Sequence, residues 1–228
     1  MPLIVEPRFR ASRIWSNRIL QQIAPLLTGS VVNVSAWRDE DKEGNHYRNY
    51  FARATEYWLT NWHSNARGFQ GNLENELFLD LEQPLPAKLR GRFDIVFNHT
   101  TLEHVFDIFS AFRNLCSLSR DVVILVVPFL QEQHGDYGDY WRFTPLSIQR
   151  LFAREERNVD FVAWNDGAVD AIYIVAASAL RVTSSELLRK APGNRLDILG
   201  SARLGRRFFP RTKAGTIVKR LLSLCRGS

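Results

Sequence analysis

The chain has 228 residues, 45% hydrophobic and 24% charged, a balance ordinary for a globular protein that makes disorder unexpected for its body and allows one α/β domain with a full core. Its net charge of +6 is unevenly spread: from Arg181 onward 12 Lys or Arg stand against two acids, so this stretch is strongly basic and the remainder mildly acidic. No apolar run approaches the roughly 18 residues of a membrane span, and Glu6, Arg8 and Arg10 break up the start where a secretory signal would be apolar, so a cytoplasmic location is expected. The two cysteines sit in unlike contexts, Cys116 in an apolar helical pattern and Cys225 in the basic stretch, which argues against a disulfide framework.

In chain order, Ser12 to Ala24 sets Leu20 and Ile23 against Arg18, Gln21 and Gln22 at helical spacing. Ser12 is placed to cap and Pro25 to stop this lead-in helix, which is expected within residues 1–27 and packed on the edge of a sheet. Val31 to Val34 reads as a first buried strand, Asn49 to Thr55 as a short helix, Glu56 to Trp62 as a second strand and Leu77 to Leu81 as a third. Phe93 to Phe97 is a fourth strand, covered by an amphipathic helix from Asp107 to Leu118, and Val122 to Val127 is a fifth. A helix over Ser147 to Arg154 precedes two strands, Val159 to Trp164 and Ala171 to Ala177. Their connection is too short for a parallel crossover, so they pair antiparallel. Residues 28–180 form the body on this reading, and 181–228 a loosely packed basic tail with a short amphipathic helix near its end.

The fourth strand runs directly into Asn98-His99-Thr100-Thr101-Leu102-Glu103-His104. The fifth ends at Pro128-Phe129, ahead of Asp139-Tyr140-Trp141-Arg142-Phe143-Thr144-Pro145. Apolar runs that stop abruptly in hydrogen-bonding residues are expected where parallel strands deliver side chains to a crevice at their carboxyl ends. On these motifs the chain resembles the class I S-adenosylmethionine-dependent methyltransferases, in particular the type 11-like bacterial group. Its fourth strand reads FDIV with LEH following, and a DYWRFTP segment precedes a helix. The resemblance spans roughly Thr28 to Leu180 and implies a Rossmann-like α/β sandwich, mostly parallel with an antiparallel last strand.

It also implies S-adenosylmethionine as cofactor, with Asn33 and Ser35 after the first strand, Asn61 at the end of the second, Asp80 after the third, and Asn98 and His99 after the fourth beside it. The chain departs from the family pattern after the first strand, where Val34-Ser35-Ala36-Trp37 replaces a glycine-rich turn. It departs again at Asn61, where the family has a ribose-binding acid. Asp39, Glu40 and Asp41 read as a solvated loop or as a partner for the cofactor ammonium, and Asp80 as a turn former or as the acid near the adenine amino group. On the acceptor side, His134, His104 and Asp139 are the candidate catalytic residues, since imidazole titrates near neutrality and a carboxylate can orient it. Asp136 is a second candidate to orient His134. Asp139 has a competing reading as the ion-pair partner of Arg142, and Glu103 reads equally as a helix-end acid, with Thr100 or Thr101 as cap, or as catalytic.

No metal site is expected, because His99 and His104 are five apart and no cysteine pair supports them. The function implied is methyl transfer to a hydroxyl of a small-molecule or glycan-like acceptor. The alternative is a methyltransferase-like binding or scaffold protein without activity. The basic tail, with Ile217, Leu221 and Leu222 among its charges, is suited to peripheral contact with an anionic membrane at its inner face, better than to nucleic acid, where aromatic stacking would accompany the charge.

Overall fold

A computed structural model describes residues 10–62, 74–135, 138–165, 171–202 and 204. Seven strands form one sheet in the order β3-β2-β1-β4-β5-β7-β6, with β1 Gly29–Val34, β2 Ala54–Asn61, β3 Glu76–Phe78, β4 Phe93–His99, β5 Ser119–Leu130, β6 Phe161–Trp164 and β7 Ile172–Ser178. β1 to β5 are mutually parallel, and β7 runs antiparallel to both β5 and β6. This is a Rossmann-like sheet with an antiparallel closing strand.

Strand periodicity builds two cores. Val122, Ile124 and Val126 of β5, with Tyr173 and Val175 of β7, face one side; Val123, Leu125 and Val127, with Ile172 and Ile174, face the other. Helices α2 (Ile108–Leu118) and α3 (Pro145–Arg154) cover the second side through Phe112, Leu115, Ile148 and Phe152. Helices α1 (Arg10–Ile23) and α4 (Val182–Lys190) cover the first through Leu20, Ile23 and Leu188. The result is a three-layer sandwich with the sheet buried on both faces, which is why its strands read as continuous apolar runs.

Several expectations shift. Helix α1 lies over the face of the sheet against β7 rather than at an edge, and Ser12 is a buried residue within it, donating to Ala171 O at 2.6 Å. The expected helix over Asn49 to Thr55 is a 3-10 turn at Tyr47–Tyr50, because its aromatics drop into the core and β2 begins at Ala54. β3 stops at Phe78, so Leu79 to Leu81 lies beyond it. Glu103 and His104 do not open a helix. They occupy a 3-10 turn, Leu102–His104, without a threonine side-chain cap, and Asp107 caps α2 by accepting from Ser110 N at 3.1 Å. Folded structure also continues past Arg181, since Leu188, Ala191 and Leu199 are buried against the body. The expected amphipathic helix near Ile217 to Leu222, and Asp136, lie outside the described residues. Among the described residues no helix is long and apolar enough to cross a membrane.

Candidate functional site

A cleft of about 480 Å³, the size of a small-molecule site, opens at the carboxyl ends of β1, β2 and β4, where the strand order reverses. Its walls include Asn33 near the end of β1 with Ser35 and Trp37 after it, Asn61 at the end of β2, Leu79 to Leu81 after β3, His99 at the end of β4 with His104 and Val105 after it, and Arg13 from α1. The position follows from the fold: chains leaving β1 and β4 part in opposite directions and leave a gap between them.

The turn after β1 has the backbone shape that glycines would give, without glycines. Ser35, Trp37, Asp39 and Lys42 have φ of 58°, 52°, 61° and 67°, the left-handed region that costs a residue with a side chain about 1 kcal/mol or more. Long-range bonds hold it there. Ser35 N donates to Thr60 Oγ1 at 3.0 Å, Ala36 N to Thr60 O at 2.9 Å and Trp37 N to Asn61 Oδ1 at 3.0 Å, all from β2. Lys42 Nζ sits 3.8 Å from the Trp37 ring centroid, a cation–π contact across the turn.

Beneath this turn the expected solvated acids are buried instead. Asp39 accepts from Asn33 Nδ2 at 2.8 Å, from the Tyr57 hydroxyl at 2.8 Å and from Arg48 N at 3.1 Å. Asp41 accepts from the Tyr50 hydroxyl at 2.6 Å and from the backbone of Glu43 and Asn45 at 2.7 and 2.9 Å. Burial alone would raise the Asp41 pKa, but these bonds outweigh it and hold the carboxyl below its ordinary value. Asn61, besides accepting from Trp37, donates to Glu76 Oε1 at 2.6 Å, so it fastens the turn to β2 and β3. Asp80 Oδ1 accepts from Glu82 N at 2.9 Å in a local turn at the cleft wall.

Asn98 is buried below the cleft walls, where its Nδ2 donates to Val34 O at 2.9 Å and joins β4 to β1. His99 lines the cleft and its tautomer follows from its neighbours. Ser16 gives its one hydroxyl proton to Arg13 O at 2.8 Å, so His99 Nε2, 3.2 Å away, must donate to Ser16. Nδ1 is then left to accept from Thr100 Oγ1 at 3.0 Å. Burial first, then the Arg13 charge, holds the His99 pKa well below its ordinary value, so the ring is a neutral acceptor.

Arg13 reaches into the cleft beside Tyr173, with Nη1 3.5 Å from the Tyr47 hydroxyl and 3.5 Å from His99 Nδ1, and Nη2 3.4 Å from Thr100 Oγ1. No carboxylate pairs with it among the described residues. Burial opposes its charge, yet the Tyr47 and Tyr173 hydroxyls and Glu103 keep its pKa above the ordinary value. Such a guanidinium is a receptor for an anion.

On the opposite wall, His104 Nδ1 lies 2.6 Å from Gly138 O. A carbonyl only accepts, so Nδ1 carries the proton and Nε2 the lone pair. Burial lowers the His104 pKa and keeps the ring neutral. His134 stacks on it at 4.9 Å between centroids and is tied through Nε2 to the Gln131 amide at 2.6 Å. Asp139 pairs with Arg142 through both oxygens and accepts from the His134 backbone at 2.9 Å. The Arg142 guanidinium brings the Asp139 pKa down to about 2, so the carboxylate serves that ion pair. Between these groups lies Glu103, fully buried, whose two carboxyl oxygens meet no hydrogen-bond partner. Its pKa is raised to about 8 by burial.

The cleft therefore gathers Asn33, Ser35, Asn61, Asp80, His99 and His104 from the residues the sequence points to, with His134 stacked behind His104. Sequence reasoning missed Arg13, Lys42 and Tyr47. The signal for Arg13 was the stripe Ser12, Arg13, Ser16, Asn17, polar at i, i+1, i+4 and i+5 of a helix that has to pack. Among the described residues no group of His, Cys, Asp and Glu could hold a metal ion.

No family model matches the chain, and no curated protein matches it by sequence. Solved structures do. The 1,6-didemethyltoxoflavin N1-methyltransferase of Burkholderia thailandensis superposes with a TM-score of 0.51 at 13% identity, over 73% of this chain and 80% of that one. A candidate methyltransferase from Bacillus halodurans C-125 superposes at 0.51 with 15% identity, over 70% of this chain and 96% of that one. At this identity the likeness establishes the fold, and the fold is that of the class I methyltransferases.

Proposed function

We propose that the protein is an S-adenosylmethionine-dependent methyltransferase acting on a hydroxyl of a small-molecule or glycan-like acceptor. The observation that carries this reading is the Arg13 guanidinium, unpaired by any carboxylate among the described residues and facing a cleft at the strand switch point. The Burkholderia thailandensis structure holds S-adenosylhomocysteine, which supports the same cofactor here.

In this reading Arg13 binds the cofactor carboxylate and the Ser35 to Trp37 turn brings backbone close to it. Leu79 and Leu81 flank the adenine with Asp80 at its amino group, and Asn33, Asn61, Asn98 and His99 shape the floor. When bound, the cofactor supplies a methyl carbon made electrophilic by its sulfonium. His104 Nε2 takes the acceptor's hydroxyl proton, a role for which the ring must be neutral at pH 7, as its lowered pKa makes it. His134, with Asp139 holding its backbone, braces the His104 ring. The rest is positioning, so no larger catalytic set is needed.

Arg13→Gln should weaken S-adenosylhomocysteine binding more than about tenfold by equilibrium dialysis, a lost charged hydrogen bond being worth about 1.5–3 kcal/mol. Unchanged affinity would remove the reading's main support. One observation favours the second reading, a binding protein without activity: Asn61 is engaged with Trp37 and Glu76 where the family would place a ribose-binding acid. Binding of S-adenosylmethionine separates the two. The basic stretch beyond Ala202 is proposed to touch anionic membrane, and its removal should abolish sedimentation with phosphatidylserine vesicles at low salt.

A further inference from the structure

A buried carboxyl group that meets no hydrogen-bond donor is costly, and proteins keep such groups where they act. Glu103 is one: it is fully buried, neither oxygen has a partner, and Oε1 lies 3.9 Å from His104 Nε2, the ring atom that carries the lone pair. The charged and titratable groups facing it are Arg13 from α1, His104 beside it, Asp139 and Arg142 from the segment after β5, and Tyr173 from β7. Asp139 neutralises Arg142, so the local charge depends on Glu103 and on whatever enters the cleft beside Arg13.

Resting on the methyltransferase reading above, we infer that Glu103 is where the acceptor's proton comes to rest, delivered through His104. In the transfer, the acceptor's O–H bond breaks and an O–C bond forms, while the C–S bond breaks with its electron pair remaining on sulfur. The proton passes to His104 Nε2 and then to Glu103 Oε1, the carboxyl having been ionised as the cofactor's cation entered the cleft. The sulfonium charge disappears as the proton arrives, so the net charge beside the cleft is unchanged. His104, with its lowered pKa, is a poor place to keep a proton, whereas Glu103, with its pKa near 8, holds one at neutral pH. Glu103 acts through His104 and does not touch the acceptor.

The inference makes a demand on binding alone. In the empty protein near neutral pH Glu103 is largely protonated, and a cation entering the cleft favours its ionised form. S-adenosylmethionine, which carries one more positive charge than S-adenosylhomocysteine, should therefore release a measurable fraction of a proton on binding where S-adenosylhomocysteine releases less. Calorimetric titrations of the full chain at about pH 7.5, in two buffers of different ionisation enthalpy, read that number directly. The expected result is a difference in protons released between the two ligands, lost in Glu103→Gln. Equal proton counts in the unmodified protein, or a difference that persists in Glu103→Gln, would overturn the inference and leave the methyltransferase reading standing. If neither ligand binds, that reading falls and takes the inference with it.

Discussion

The two ends of the sheet treat charge in opposite ways. At the amino ends, Asp94 accepts from Ser30 N and Oγ at 2.9 and 3.0 Å, from Arg120 Nε and Nη2 at 2.7 and 2.6 Å and from Arg181 at 3.1 Å. Nearby Asp121 accepts from Arg181 N at 2.8 Å and from the Ser184 hydroxyl at 2.6 Å. At the carboxyl ends, Arg13 has no carboxylate partner among the described residues, the Glu103 carboxyl has no hydrogen bond, and five residues with side chains, Ser35, Trp37, Asp39, Lys42 and Thr100, take left-handed backbone. The satisfied end holds strands and α4 together. The other end keeps charges and strain that contribute nothing to stability, the expected character of a binding site.

The contrast breaks if the amino-end charges prove dispensable. Asp94→Ala should cost about 2 kcal/mol in denaturant titrations, below the range for fully buried pairs because the arginine side chains are about half exposed. Its pH dependence has a definite sign. The Arg120 guanidinium, with the Ser30 bonds, depresses the Asp94 pKa below its unfolded value. Its contribution is then present above about pH 4 and is lost as pH falls further.

Glu103→Gln tests the other end and carries the opposite sign. Because the folded pKa is raised to about 8, the wild-type residue destabilises increasingly as pH rises from the ordinary carboxyl range toward 8. The variant should gain about 1–2 kcal/mol at pH 8 and nothing near pH 5, read as a shift in Tm. A uniform loss at both pH values would mean that Glu103 is structural. The smallest effect belongs to the turn: Ser35→Gly should stabilise by about 1 kcal/mol or less, since glycine adopts its φ of 58° without strain but adds freedom to the unfolded chain.

How much of this was legible in the sequence divides along the same line. The strands were readable because a sheet buried on both faces leaves continuous apolar runs, and the antiparallel β6 and β7 followed from the length of the chain between them. The turn after β1 was not. Its shape depends on Thr60 and Asn61, some 25 residues on, and so the missing glycines looked like a missing turn. Arg13 was hidden because the polar stripe of α1 reads as a solvent face, whereas Ser12, Ser16 and Asn17 are buried against Ala171, His99 and Asp41. Helix α4 opens a stretch whose basic composition predicts a tail, although Leu188 alone anchors it in the core.

The most direct test of the central claim is calorimetric titration of the full chain with S-adenosylmethionine. The fold, the Arg13 receptor and the turn predict one saturable site per chain, weakened in Asp80→Ala and in Arg13→Gln. No heat of binding at millimolar cofactor would contradict the account and leave a methyltransferase fold without its cofactor.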